Sequence, residues 1–79
     1  MLNGVEVDVV LYTRVGCHLC DDAQGLLEMH GLTPRLVEID ADGALRERYN
    51  DCVPVVEIDG KVRFRGRVDP VLLRRLLGT

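Results

Sequence analysis

The run from Val5 to Tyr12 places the tightest constraint on how this chain can fold. Val5, Val7, Val9 and Leu11 alternate with Glu6, Asp8, Val10 and Tyr12, so the strand begins with one solvated face and becomes apolar on both. A strand apolar on both faces must be covered on both sides, which places its C-terminal end centrally in a layered α/β domain. Directly after it comes Cys17-His18-Leu19-Cys20, and from there Leu19, Ala23, Leu26, Leu27 and His30 recur at helical spacing. Gly31 is a suitable stop for that helix, while Gly25 weakens its interior.

Beyond Pro34, Arg35 to Asp40 alternates as a second strand, and Asp40 or Asp42 can cap a short helix carrying Leu45 and Tyr49 four residues apart. Strand, helix, strand implies a parallel pair with a right-handed crossover. Val53 to Ile58 and Lys61 to Arg65 are two further β-type runs joined through Asp59-Gly60, a short hairpin signal. Asp69 then supplies an N-cap and Pro70 the first helical position, with Leu72, Leu73, Leu76 and Leu77 as the apolar stripe and Arg74, Arg75 and Gly78 suited to the C-terminal end. The resulting order is βαβαββα, an α/β arrangement in which helices cover a mixed four-stranded sheet.

Seventy-nine residues at 47% hydrophobic composition supply one dense core, so residues 1–79 are expected to form a single domain and a monomer. Met1-Leu2-Asn3-Gly4 shows no basic region followed by an apolar core, and no apolar run approaches membrane-spanning length; the expectation is a soluble protein with no membrane role. A formal net charge of −3 argues against a nucleic-acid partner. Three cysteines cannot build the stapled framework of a secreted mini-protein, and a reducing cytoplasm is the better expectation.

The two cysteines of Cys17-His18-Leu19-Cys20, three apart at a helix start, lie on one face and need only a small adjustment to bond. Unpaired backbone N–H groups and the positive end of the helix dipole favour a thiolate at Cys17, while Cys20 lies deeper in the turn. That placement points to thiol–disulfide exchange, one sulfur attacking and the other resolving. His18, when protonated, would reinforce the Cys17 thiolate; Asp21 and Asp22 suit a helix start but oppose that charge. Half of a metal site is the main competitor, yet no second close Cys or His pair exists. Cys52 and His30 have no zinc-knuckle spacing: His30 better ends a helix, and Cys52 reads as a small buried residue opening a strand. A haem signature fails because Asp21 stands where histidine is needed. No metal and no bound cofactor are expected.

Lys61, Arg63, Arg65 and Arg67 alternate with Val62 and Phe64, which predicts cations on one side of an outer strand that resists aggregation. The alternative reading of that row is a surface for an anionic substrate or partner. Tyr12 and Tyr49 read as core or core-margin residues.

Residues Leu11-Tyr12-Thr13-Arg14-Val15-Gly16-Cys17-His18-Leu19-Cys20, with Asp51-Cys52-Val53-Pro54-Val55-Val56 and Asp59-Gly60-Lys61, resemble the glutaredoxin family of the thioredoxin superfamily, especially its small Cys-His-Leu-Cys members. The resemblance implies a thioredoxin-like fold, with Cys17 as nucleophile, Cys20 as resolving thiol and Pro54 as a cis-proline facing them. It implies that the Val53 backbone hydrogen-bonds a bound peptide or glutathione, and that Arg14 meets a glutathione carboxylate. Glutaredoxins also carry paired glycines and an acidic helix start that grip the γ-glutamyl end of glutathione. Here only Gly66 and Asp69 match, in Phe64-Arg65-Gly66-Arg67-Val68-Asp69, so weak glutathione affinity is the expectation. The expected activity is reduction of a protein or small-molecule disulfide. Its rival is a non-catalytic module of the same fold that binds a peptide, a partner or an iron–sulfur cluster.

Overall fold

The two-faced strand is central, as its composition demands. In a computed structural model, which describes residues 7–50 and 52–78, β1 (Val9–Thr13) lies between β2 (Arg35–Glu38) and β3 (Val55–Ile58), with β4 (Lys61–Arg65) at the far edge: the order is β2-β1-β3-β4. β1 pairs in parallel with β2 and antiparallel with β3, and β3 pairs antiparallel with β4. The helices are α1 (His18–Met29), α2 (Gly43–Tyr49) and α3 (Pro70–Leu76), with a 3₁₀ turn over Ile39–Ala41. Strand β1 begins later than the alternation predicts; Val5 and Glu6 of that run, with Met1 to Gly4, lie outside the described residues, as does Asp51.

Side-chain alternation along the strands divides the core into two layers. Val9, Leu11, Val56, Ile58 and Phe64 pack with Ala23 and Leu27 of α1, with Val68 of the segment before α3, and with Leu73 of α3 on one face. On the other, Val55 joins Ile39 and Tyr49, with Tyr12, Leu45, Cys52, Val53 and Val62 packed around them. The Tyr12 and Tyr49 rings lie 5.0 Å apart and tilted, and the Tyr12 hydroxyl donates to Glu57 Oε2 at 3.1 Å. Burial, that hydrogen bond and the Glu57 charge together raise the Tyr12 pKa above the ordinary phenol value.

Local chemistry sets the ends of the elements. Helix α1 closes with Gly31 N–H donating to Glu28 O and Leu32 N–H to Leu27 O, the paired bonds of a Schellman ending, while His30 Nδ1 bonds Leu26 O at 2.9 Å. Asp42, rather than Asp40, caps α2, its Oδ1 accepting from the Ala44 and Leu45 N–H groups. Asp59 (φ 53) and Gly60 (φ 84) both occupy the left-handed region, as a two-residue type I′ hairpin requires. The Val53–Pro54 peptide bond is cis.

Four expectations are corrected. The second strand stops at Glu38, because Ile39 turns into the α2-side core through the 3₁₀ turn. β4 does not keep a simple alternation: Phe64 pairs with Val56 but Val62 with Glu57, so Arg63 is the extra residue of a β-bulge, and Val62 and Phe64 pack on opposite faces. In α3 Leu73 is buried, and Leu77 at its C-cap partly so, whereas Leu72 and Leu76 remain 47% and 42% exposed, because only one narrow side of this seven-residue helix meets the sheet. Leu19 of α1 is likewise 53% exposed.

Candidate dithiol site

The site begins where β1 ends. Cys17 N–H donates to Arg14 O at 3.2 Å, closing a turn in which Gly16 takes φ 81, a conformation that L side chains rarely adopt. That turn delivers Cys17 to the N-cap of α1 with extended backbone, so its Sγ looks into the first helical turn and accepts the Cys20 N–H at 3.1 Å. The Cα atoms of Cys17 and Cys20 are 5.2 Å apart and the two sulfurs meet as a disulfide pair. The cysteines are unequal: Cys17 is half-buried and Cys20 is 1% exposed. An N–H donor and the helix start stabilise negative charge on the outer sulfur when the pair is reduced.

Arg14 precedes this turn, and its guanidinium is engaged within the protein. Nε and Nη2 donate to the two Asp40 carboxylate oxygens at 2.9 Å each, while Nη1 and Nη2 donate to Asn50 O at 3.2 Å and Asn50 Oδ1 at 2.7 Å. The hydrogen bond from Arg14 holds the Asp40 carboxyl below the usual aspartate range. A single side chain therefore ties the segment before Cys17 to the 3₁₀ turn and to the end of α2. No sequence spacing signals this bond, since the partners are 26 and 36 residues away.

The remaining predicted site residues lie beside the cysteines on α1 and on two other segments. His18 is exposed at the first position of α1. Val53 is half-buried and Pro54 buried; the Gly66 N–H bonds both Cys52 O and Pro54 O at 2.7 Å, bridging the carbonyls on either side of Val53 and not Val53's own. Cys52 is half-buried and precedes β3 instead of opening it, packed against the Ile39–Tyr49–Val55 cluster. Asp69 caps α3, Oδ1 accepting from Val71 N–H at 2.8 Å and Leu72 N–H at 3.3 Å. Among the described residues, no group of three or more His, Cys, Asp and Glu is arranged to hold a metal ion, and no helix is long and apolar enough to cross a membrane.

Sequence reading missed one feature beside the cysteines. A groove of about 390 Å³ runs along α1, lined by Leu19, Asp22, Ala23, Leu26, Arg67 and Val68. Its first residue lies inside the Cys-X-X-Cys segment, and its apolar lining follows from Leu19 standing off the core. The exposed leucine could have been suspected only by knowing which side of α1 meets the sheet.

The sequence model of the family described as glutaredoxin-like domain (DUF836) matches residues 8–78. Among solved structures, the solution structure of protein Ne2328 from Nitrosomonas europaea is 29% identical with a TM-score of 0.80, covering 96% of this chain and 98% of that one. Glutaredoxin 1 from Francisella tularensis, crystallised with cacodylate, is 23% identical with a TM-score of 0.69 over 92% of this chain and 99% of its own. A glutaredoxin from Archaeoglobus fulgidus shares the fold at 18% identity and a TM-score of 0.66, over 98% of this chain and 100% of its own. No curated protein matches the sequence.

Proposed function

This chain belongs to the family of glutaredoxin-like domains (DUF836), and from that premise we propose that it is a thiol–disulfide oxidoreductase with Cys17 attacking and Cys20 resolving. One observation carries the reading: two sulfurs within bonding reach at a helix start, the half-buried one accepting a backbone N–H and the other buried. The reduced Cys17 thiolate attacks one sulfur of a substrate disulfide, forming a Cys17–substrate mixed disulfide and expelling the other substrate sulfur as a thiolate that takes up a proton. Cys20, losing its proton, then attacks the Cys17 sulfur and expels the second substrate thiolate. Two electrons have passed to the substrate, and Cys17–Cys20 is left oxidised for a thiol donor to reduce. Val53 offers its backbone to an extended substrate segment, a role supported by the pattern in which Gly66 engages its neighbours' carbonyls and leaves its own aside.

Turnover of a model protein disulfide, with glutathione and a thioredoxin system supplied separately as donors, tests the proposal. Catalysis that disappears in Cys17→Ser is expected. An inactive wild-type protein whose cysteines fail to close in oxidising buffer would remove the dithiol mechanism and leave a binding module of the same fold.

A further inference from the structure

The chain's charges are strongly segregated. Of its ten Lys and Arg, six fall between residues 61 and 75, alongside one of its thirteen carboxylates, Asp69. Five of the six are exposed on two elements: Lys61, Arg63 and Arg65 on edge strand β4, and Arg74 and Arg75 on α3. Between these two elements lies a cleft of about 260 Å³ lined by Arg63, Phe64, Leu72, Arg75 and Leu76. Phe64 is buried there, while Leu72 and Leu76, one helical turn apart, present exposed apolar surface. Among the described residues, neither Arg63 nor Arg75 has a carboxylate within ion-pair distance.

We infer that this cleft docks an acidic amphipathic helix of a partner protein, an apolar side chain entering between Leu72 and Leu76 and flanking carboxylates meeting Arg63 and Arg75. Charge complementarity selects the sign of the partner, and the apolar lining selects its amphipathic character, since a purely polar polyanion would leave the two leucines wet. The bulge at Arg63 selects a helix over an added strand, because it interrupts the backbone ladder on which strand addition depends. This surface does not rest on the dithiol reading, and its test is read separately from turnover.

The probe is a fluorescein-labelled helical peptide with leucines on one face and glutamates flanking them, titrated into the full chain and followed by anisotropy. Saturable binding is expected, weakened about tenfold by Arg63→Glu with Arg75→Glu and restored by lysine at both positions. Leu76→Ser should weaken it as well. Raising salt from about 0.05 to 0.5 M should weaken it further, and disulfide reduction should be unchanged in every variant that retains the wild-type circular dichroism. Equal binding by the charge-reversed protein overturns the inference, as does equal binding of a peptide with the same charge but no apolar face. Capture by phosphatidylserine-containing vesicles without peptide binding would assign the patch to membranes. A concentration-dependent dimer abolished by the charge reversal would assign it to a second copy of this chain; either result overturns the proposal.

Discussion

Arg14 and Asp40 face each other through two hydrogen bonds of 2.9 Å, Nε and Nη2 each meeting one carboxylate oxygen, although 26 residues separate them in sequence. The consequence is structural before it is chemical. Arg14 is also the residue whose carbonyl accepts the Cys17 N–H, so the pair anchors the turn that presents the Cys17 sulfur.

That anchor should be visible in the pH dependence of stability. Because the folded Asp40 pKa is depressed, its contribution is present above the ordinary aspartate value near 3.8 and is lost as pH falls through the lowered folded value. Urea unfolding of wild type and Asp40→Asn should therefore differ at neutral pH and converge in strong acid, and added salt should narrow the neutral-pH gap because the pair is exposed. A gap that widens on acidification would show that Asp40 is not ionised in this bond.

Selective alkylation should separate the two cysteines. Reduced protein treated with iodoacetamide at mildly acidic pH is expected to label Cys17 first, since Cys20 is 1% exposed and Cys17 lies at the helix start. Cys20→Ser should trap a stoichiometric mixed disulfide with substrate, and Cys17→Ser should form none. Preferential labelling of Cys20 or Cys52 by peptide mapping would reverse the proposed roles.

Neighbouring leucines of α3 give a sharper stability test. Leu73 is buried against both α1 and the sheet, so Leu73→Ala should cost about 2–5 kcal/mol. Leu72, half exposed beside it, should cost less than about 1 kcal/mol on the same change. Comparable losses at both positions in chemical denaturation would mean that the helix presents a broader face to the core.

These differences mark what a sequence can and cannot disclose. The two-faced β1, the Asp59-Gly60 hairpin, the Gly31 stop and the Asp69-Pro70 helix start are local signals, each written in a few adjacent residues and obeyed by the backbone. Which of Leu72, Leu73, Leu76 and Leu77 turns inward depends on where the sheet lies, and the bulge at Arg63 depends on pairing with β3; neither is local. The site divides in the same way. Its cysteines share one helical turn and were legible, whereas the partners of Arg14 come from across the fold.

Glutathione should be a poor electron donor, because the residues that resemble the glutathione grip of glutaredoxins are engaged by this protein's own groups. Arg14 makes two bonds to Asp40 and two to Asn50. The Gly66 N–H is shared between the Cys52 and Pro54 carbonyls, and Asp69 Oδ1 holds the start of α3. A glutathione carboxylate must displace Asp40 from Arg14, exchanging one charge-assisted bond for another with little net gain. Steady-state reduction of a mixed disulfide should accordingly show a high KM for glutathione, while a thioredoxin system supports faster turnover. Asp40→Asn removes the competing charge, and should lower the KM for glutathione by a larger factor than it changes the rate supported by the thioredoxin system, which carries only the loosening of the Cys17 turn. Efficient, saturable turnover of the wild type at low millimolar glutathione would instead mean that Arg14 exchanges partners readily, and that its bond to Asp40 is a resting position.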